Sequence, residues 1–416
     1  MGLLDGVQVV ELGLILPGAA LGHLLAEQGA DVVKVERPPG GDYVRYFPEQ
    51  VGDQGGQSFW HLVLNRNKKS ITLDLLRPEG QEVLLDLVRD ADVFITNLIA
   101  DQPARLGASY DALRAVNPGL IYCQITGFGA TGPYAALPSH GLAMSSVSGQ
   151  IALEEQPDGW LEQVRDKAFG GGTQSAGQPV QTGPLWAAYG IASALWQRSR
   201  TGEGAYLDIS NSDATLATAW IGIPDALNPG AIRIEATSQS LQLHSARHAF
   251  YETKDGKYVF VAMIEPKFWA KFCRELGRED LLEGIDADVA AFDAFDAERN
   301  TVHFRALQEI FRTRTREDWT QFFLDNDLPN APVNRASELA ADPQFVARGA
   351  FVNVERPDGQ GAFTVAAAPV RVAGETRTAP QPAPAPGQHT NGVLHDAGYD
   401  TARIDALRAT GIISGH

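Results

Sequence analysis

Residues 7–13 read VQVVELG and residues 31–37 read DVVKVER, two short apolar runs rich in valine. Between them, residues 14–30 (LILPGAALGHLLAEQGA) carry apolar residues at helical spacing. Two strands joined by one helix can pair in parallel, because a parallel connection must cross from one end of the sheet to the other. The pattern therefore predicts a β-α-β unit that closes near residue 37.

The same alternation continues along the next ninety residues. Strands are predicted at 70–75 (SITLDL), 92–97 (DVFITN) and 120–129 (LIYCQITGFG), with helical patterns at 78–91 and 104–118. Strands that alternate with helices at this spacing predict an α/β fold, a parallel sheet with helices on both faces. Ligands of such sheets bind beyond the carboxyl ends of the strands.

The rest of the chain predicts a second, smaller domain and a returning tail. A strong helix is expected at 184–202, a β-hairpin at 248–264 around the turn TKDGK, and helices from 265 to about 323. APQPAPAPGQ at 379–388 reads as an extended connector. A chain of 416 residues is too long for one small core, so two domains are expected.

Composition excludes several classes of partner. The net charge is −17, and binding of nucleic acid needs a basic face, so no nucleic acid partner is expected. The apolar runs are too short to span a membrane, and the first residues lack a secretory pattern. The two cysteines, Cys123 and Cys273, lie in apolar contexts and are expected as buried free thiols in a cytoplasmic protein.

Few motifs carry chemistry by themselves. His244 and His248 lack a third metal ligand nearby, and the turn after the first strand lacks a dinucleotide fingerprint, so neither a metal nor a nicotinamide or flavin cofactor is expected. ERPPGGDYVR at 36–45 and RNKK at 66–69 are either a positive pocket for an anionic ligand or solvated surface charges. Glu265, between an apolar strand and Pro266, reads as a helix cap or a site residue.

The ordered set of segments resembles the family III CoA transferases over nearly the whole chain. The segments include LLDGVQVVELG, GHLLAEQGADVVKVERPPGGD, NRNKKSITLDL, NPGLIYCQITGFGATGPYA and LWQRSRTGEGAYLDIS. The resemblance implies a Rossmann-like large domain at 1–215, a smaller α+β domain at 225–335 and a segment at 336–416 that returns to the large domain. It also implies an interlocked homodimer of ring-like subunits.

The resemblance further implies coenzyme A or an acyl-CoA as the substrate, with a carboxylic acid as the acceptor. By position, Arg37, Lys68 and Lys69 would meet the CoA phosphates. Four more residues would line the same cleft: Leu16, Pro17, Asn97 and Arg105.

The sequence departs from the family pattern at its catalytic centre. Gly141 stands where the superfamily usually carries an aspartate, and residues 179–181 (PVQ) hold no carboxylate where the transferases carry their nucleophilic aspartate. His140 matches the histidine of the α-methylacyl-CoA racemase branch, and Glu265 matches the glutamate that orients it there. The catalytic candidates are therefore His140, Glu265 and Gly141.

Three functions stay open at this point. The chain is an acyl-CoA transferase with an altered centre, or a one-base racemase, epimerase or isomerase that uses His140 with Glu265. Alternatively, it is a CoA-binding subunit without a nucleophile, working in a heteromer with a sister chain that supplies one.

Overall fold

The computed structural model describes residues 2–52, 57–163, 178–220, 222–228, 245–282, 297–356, 359–375 and 378–415. The chain divides into two compact units. Unit 1 comprises Met1–Asn228 and Gly349–His416, and unit 2 comprises Pro229–Arg348. The predicted boundary at 335–336 differs from this division, in which residues 336–348 belong to unit 2.

Unit 1 is built on a six-stranded parallel sheet, which confirms the predicted α/β class. In chain order, the strands described in the first part of unit 1, before residue 229, are β1 Gln8–Leu12, β2 Asp31–Glu36, β3 Gln50–Val51, β4 Gln57–Ser58, β5 Lys68–Thr72, β6 Val93–Thr96, β7 Ile121–Thr126, β8 Leu153–Glu155, β9 Leu161–Gln163 and β10 Ala205–Ser210. The sheet has the order β10-β7-β6-β1-β2-β5, the doubly wound arrangement of a Rossmann fold. The strand order reverses between β1 and β6, which are direct neighbours.

Apolar layers cover both faces of this sheet, as its continuous apolar strands require. One layer contains Val10, Phe94 and Tyr122, and the other contains Val9, Ile95 and Cys123. Alternate residues of the same strands thus point to opposite faces. The helices that lie with the sheet in unit 1 are α1 Pro17–Ala26, α2 Phe59–Leu64, α3 Pro78–Arg89, α4 Gln102–Arg105, α5 Tyr110–Val116, α6 Gly141–Val147, α7 Pro179–Thr201, α8 Asn211–Thr218 and α9 Gly222–Leu227.

Helix α7 begins earlier than its sequence predicts. It ends as expected at Gly202, whose φ of 75° closes the helix in the left-handed conformation. Its first residue, however, is Pro179 rather than Pro184. Both prolines suit a first turn, and the sequence prediction chose the wrong one. Residues 179–181 are therefore the first turn of a 23-residue helix and not a loop that precedes it.

Unit 2 contains a three-stranded antiparallel sheet flanked by helices. Its strands are β11 His248–Glu252, β12 Tyr258–Ala262 and β13 Asn330–Val333, in the order β11-β12-β13. The pairing of β11 with β12 confirms the predicted hairpin, with Gly256 at a φ of 69° in its turn. The helices described in this unit are α10 Pro266–Glu275, α11 Ala297–Phe311, α12 Arg316–Asp325 and α13 Pro343–Arg348.

The last part of the chain belongs to unit 1. It contains a hairpin of β14 Phe351–Glu355 and β15 Ala362–Ala366, followed by helices α14 Thr390–Asp396 and α15 Thr401–Ala409. Among the helices of the described ranges, none combines the length and the apolar character that a bilayer crossing requires.

Candidate functional site

The crevice at the carboxyl ends of β1 and β6 is the place where this sheet topology puts a ligand. Asn97, which follows β6, closes its inner wall. Its Oδ1 accepts a hydrogen bond from the Leu14 backbone N at 2.8 Å, and its Nδ2 donates to the Leu14 carbonyl at 2.7 Å. Asn97 therefore holds the loop that follows β1 at the carboxyl edge of the sheet.

That loop makes a tight turn into helix α1. A Cβ on Gly13 would lie 3.1 Å from the Cα of Gly18, so two glycines allow the backbone to pass itself closely. Leu16 and Pro17 begin the helix, with Pro17 at its first position. These two residues lie at the carboxyl edge of the sheet, as predicted.

Ile15 occupies an unfavourable conformation in the same loop. Its φ is 61°, which is rare for a β-branched residue. The Ile15 backbone N donates to both carboxylate oxygens of Asp42, at 3.0 and 3.1 Å. Strain of this kind persists only where surrounding contacts impose it, and it is common at binding sites.

Buried charges fix Asp42 in place. Lys34 Nζ lies 2.8 Å from Glu11 and 3.0 Å from Asp42, and it donates to the Gly13 carbonyl at 2.9 Å. Burial alone would lower the pKa of Lys34, but the charges of Glu11 and Asp42 raise it above its usual value. The lysine therefore stays charged and ties β1, β2 and the loop together.

Lys68 does not have the predicted role. Its side chain is fully buried, and Nζ donates to Glu11 at 2.8 Å, the Ala19 carbonyl at 2.8 Å and Asn65 at 3.0 Å. An ammonium has three donors, and all three are used inside the protein. Burial lowers the pKa of Lys68 to about 8. No donor is left for a CoA phosphate.

Lys69 faces the other way and pairs with Asp31 at 2.8 Å. Both residues lie at the amino ends of their strands, on the edge of the sheet opposite the crevice. Strand alternation therefore divides the two lysines of RNKK into a buried Lys68 and a partly exposed Lys69. Neither lysine lies where the CoA phosphates were predicted.

Arg37 and Arg105 do remain available at the carboxyl edge. Arg37 directly follows β2, Arg105 ends the short helix after β6, and both side chains are exposed. Within the described ranges, neither guanidinium has an ion pair or a hydrogen bond. These two arginines are the cations of the predicted set that can meet an anionic ligand.

The segment after β7 carries the catalytic candidates. A Cβ on Gly127 would lie 2.0 Å from Ser139 Oγ, so glycine lets residue 139 fold back over the end of the strand. His140 caps α6 with its backbone, its ring is exposed, and within the described residues the ring has no hydrogen-bond partner. Gly141 is the first residue of that helix.

Val180 lies beside Gly141. A Cβ placed on Gly141 would be 3.7 Å from Val180 Cγ1, which is ordinary van der Waals contact. The two positions where the family pattern expects carboxylates are thus neighbours, and here both are apolar. Sequence reasoning located each position but could not show that a side chain at position 141 would meet residue 180.

Sequence reasoning also missed two polar atoms at the end of β7. Asn211 donates through Nδ2 to the Thr126 carbonyl at 2.7 Å, while Asn211 Oδ1 and Thr126 Oγ1 are buried without a hydrogen-bond partner. Such atoms are costly in a folded protein. No sequence motif marks them, because the pairing depends on how α8 packs against β7.

Glu265, the other catalytic candidate, belongs to unit 2. It occupies the N-cap position of α10 with an exposed side chain, yet that side chain makes no capping hydrogen bond. The interpretation of Glu265 as a side-chain cap is therefore wrong. His244 lies outside the described residues. Within the described part, no group of three or more His, Cys, Asp and Glu is arranged to hold a metal ion.

Comparisons with known proteins give a consistent result. The model of CoA-transferase family III matches residues 4–390. A succinate–glutarate CoA-transferase from Agrobacterium fabrum is 32% identical over 364 residues, which cover 86% of each chain. The human succinyl-CoA:glutarate CoA-transferase is 29% identical over 422 residues, which cover 99% of this chain and 90% of the human one.

A solved structure agrees over the same extent. The crystal structure of a CAIB/BAIF family protein from Brucella suis superposes with a TM-score of 0.71 at 28% identity, covering 95% of this chain and 99% of that one.

Proposed function

Because the chain belongs to CoA-transferase family III, we propose that it transfers coenzyme A between carboxylic acids without an aspartyl nucleophile of its own. Membership makes it a transferase, with an acyl-CoA as substrate. The first turn of α7 supports the second half of the proposal, because residues 179–181 hold no carboxylate and a side chain at position 141 would meet only Val180 Cγ1 among the described residues, at 3.7 Å.

Coenzyme A would bind at the crevice beside β1 and β6. Arg37 and Arg105 are the proposed phosphate contacts, since both are exposed cations at the carboxyl edge. Leu16 and Pro17 begin the helix beside them, and Asn97 holds the loop. The names of the two relatives support succinate and glutarate as the acids to try first.

The chemistry then has to pass directly between the two substrates. The carboxylate of the acceptor attacks the thioester carbonyl, the C–S bond breaks, and a mixed anhydride and the CoA thiolate result. The thiolate attacks the acceptor carbonyl of the anhydride, which releases the donor acid. The backbone N–H groups of Gly141 and Leu142, in the first turn of α6, are the proposed donors to the oxyanion.

A second candidate is proton exchange at the carbon next to the thioester, with His140 as the base. The exposed ring and its position directly before Gly141, at the N-cap of α6, favour this function. Glu265 would orient the ring, as in the racemase branch.

A third candidate is a CoA-binding subunit that needs a sister chain with the missing aspartate. The alternative assembly is the interlocked homodimer that the resemblance implies, and it too is a proposal.

One assay separates these functions. The purified protein is incubated in D₂O with succinyl-CoA, with and without glutarate, and product masses are followed. We expect glutaryl-CoA only when glutarate is present, and no deuterium in the acyl group. Deuterium uptake without an acid would support the His140 base instead. If neither glutaryl-CoA nor a deuterated acyl group forms while the protein still binds CoA, the result would favour a subunit that lacks a nucleophile.

A further inference from the structure

A glutamine inside the parallel sheet holds the loop that follows β6. Gln124 belongs to β7, a strand whose six residues are all buried, and it is only 6% exposed. A buried amide needs hydrogen-bond partners, whereas an apolar residue at this position would need none. The partners of Gln124 therefore indicate what the glutamine does.

The Gln124 amide joins the sheet to that loop. Nε2 donates to the Leu98 carbonyl at 2.7 Å, and Oε1 accepts from the Tyr206 hydroxyl at 2.6 Å. Because a carbonyl can only accept, the amide nitrogen faces Leu98 and the amide oxygen is left for Tyr206. The Tyr206 ring is itself held, since it stacks on Tyr110 at 5.1 Å and meets Tyr122 edge-on at 5.3 Å.

Side chains set the path of the loop that contains Leu98. Gln124 pairs in register with Thr96, the last residue of β6, so its side chain reaches two residues beyond the end of that strand. Thr96 Oγ1 accepts from the Leu98 N at 3.2 Å, so both sides of Leu98 are held. Two residues further on, Ala100 has a φ of 51°, which is unfavourable for alanine. Hydrogen bonds from side chains therefore impose this turn.

The turn leads directly into the four-residue helix α4, which ends at Arg105. The Ile99 N donates to Gln102 Oε1 at 3.2 Å, and the Gln102 N donates back to the Ile99 carbonyl at 3.1 Å. At the other end of the helix, Gln81 Nε2 donates to the Arg105 carbonyl at 3.2 Å. The start of α4 thus takes its position from the residue next to Leu98.

We propose that Gln124 is a positioning residue for coenzyme A, because through the Leu98 carbonyl it places Arg105 at the carboxyl edge of the sheet. The hydrogen bonds of a guanidinium to a phosphate depend strongly on distance and angle, so a small shift of the loop weakens them. This inference rests on the proposed CoA site at Arg37 and Arg105, and it adds a residue that is buried in the sheet.

A double-mutant cycle in CoA affinity tests this role. Affinity is measured by calorimetry with CoA, so the result does not depend on turnover. Gln124→Leu keeps the size of the side chain and removes both hydrogen bonds, and Arg105→Gln removes the charge. We expect Arg105→Gln to bind CoA about tenfold more weakly or worse, the range for a charged hydrogen bond, and Gln124→Leu to lose severalfold.

The combined variants distinguish positioning from a general defect. Gln124→Leu should add less than about twofold to the loss in Arg105→Gln, because residue 105 then has no charge to position. In Arg37→Gln, by contrast, Gln124→Leu should cost its full factor. Equal losses in all three backgrounds would overturn the role. An unchanged CoA affinity in Gln124→Leu or in Arg105→Gln would overturn it as well.

Asn117→Leu is the matched control for lost stability. Asn117 is a half-buried amide that donates to the carbonyls of Val88 and Ala91, at 2.9 and 2.7 Å, at the amino edge of the same sheet. Its replacement should lower the melting temperature and leave the CoA affinity unchanged. A loss of CoA affinity equal to that of Gln124→Leu would assign both effects to destabilisation and overturn the role.

Tyr206→Phe serves if Gln124→Leu does not fold. It keeps the stacked ring and removes only the hydroxyl that holds the Gln124 amide. We expect a smaller loss of CoA affinity, which should again disappear in Arg105→Gln. A loss of the same size in both backgrounds would contradict the role of Gln124.

The positioning role and the proposed function fail separately. A coupled cycle in a protein that forms no glutaryl-CoA would sink the proposed function and leave the role of Gln124. Transfer with an uncoupled cycle would do the reverse. Where transfer occurs, the KM for succinyl-CoA should rise in Gln124→Leu while the KM for glutarate stays the same, and an equal rise in both would contradict positioning.

Discussion

At the residue scale, Arg45 organises the buried polar groups behind the crevice. It donates two parallel hydrogen bonds to Glu36, at 2.9 and 2.6 Å. A third N–H lies 2.9 Å from His61 Nε2. The positive charge of Arg45 beside the buried ring favours the neutral form of His61. Burial, followed by the charge of Arg45, lowers the pKa of His61 to about 3.

The neutral histidine makes stability depend on pH. In the unfolded chain His61 has an ordinary pKa near 6.5, so between about pH 6.5 and 3 the unfolded state binds a proton that the folded state refuses. Its contribution is fully present above pH 6.5 and is lost as the pH falls through this window. Glu36 adds to the loss below about 4.5. Its pKa is about 2, because burial raises it but the hydrogen bond and charge of Arg45 outweigh burial.

We predict that His61→Gln makes the protein less sensitive to mild acid. Removing one such histidine should reduce the slope of unfolding free energy against pH by about 1.4 kcal/mol per pH unit between pH 6 and 4.5. Urea unfolding at several pH values measures this slope. Some slope should remain, since burial also holds the pKa of His23 well below its usual value.

His395→Gln is the matched control, because His395 is exposed, in contrast to the buried His61. It should leave the slope unchanged. An unchanged slope in His61→Gln would mean that His61 is not held neutral by Arg45.

At the scale of elements, the first turn of α7 decides what chemistry unit 1 can perform. Pro184 lies inside the helix, and it has no N–H to donate to the Val180 carbonyl four residues earlier. The N-terminal end of the helix also carries a partial positive charge that favours an anion. The turn is therefore suited to a carboxylate at position 180, although valine occupies it.

We predict that Val180→Asp creates a covalent route. The new carboxylate would lie beside Gly141, attack the thioester and form an enzyme-bound anhydride and then an enzyme–CoA thioester. Incubation with succinyl-CoA followed by borohydride should modify residue 180, as detected by peptide mass. Val180→Asn, which matches the size but not the nucleophilicity, should stay unmodified. A modified wild-type chain would show that a carboxylate elsewhere already does this work.

Secondary structure was largely predictable because alternating apolar patterns mark the strands and helices of a doubly wound sheet. The contacts that assign roles were not. The sequence RNKK does not show that Lys68 forms a buried ion pair with Glu11, because its burial depends on how α1 packs against β5.

At the scale of the whole molecule, the tail completes unit 1. Strand β5 is an edge strand, and edges need protection from pairing with other chains. His389 and Ser70 exchange hydrogen bonds at 2.9 and 3.1 Å, and the Asp74 N donates to the Ile412 carbonyl at 2.8 Å. Ile412 and Ile413 end in the apolar layer with Val10 and Phe94.

The segment that leads to this tail is held by the same arginine that holds His61. Arg45 Nη1 donates to the Pro384 carbonyl at 2.9 Å, so the Pro/Ala stretch is fixed at a specific point. Composition predicted an extended connector at 379–388 but could not indicate where it attaches. Arg45 therefore connects the buried charges behind the crevice to the segment that brings the C-terminal part of the chain back to unit 1.

The central claim is that CoA passes between two acids without an enzyme carboxylate, and one isotope measurement tests it most directly. Wild-type protein, in excess over succinyl-CoA, is mixed with glutarate whose carboxylates carry ¹⁸O. Mass spectrometry then measures the ¹⁸O content of the succinate that the single turnover releases. Direct attack predicts one ¹⁸O in that succinate, because the labelled oxygen bridges the mixed anhydride. Unlabelled succinate with labelled protein would contradict the claim, since the oxygen would then have come from a carboxylate of the enzyme.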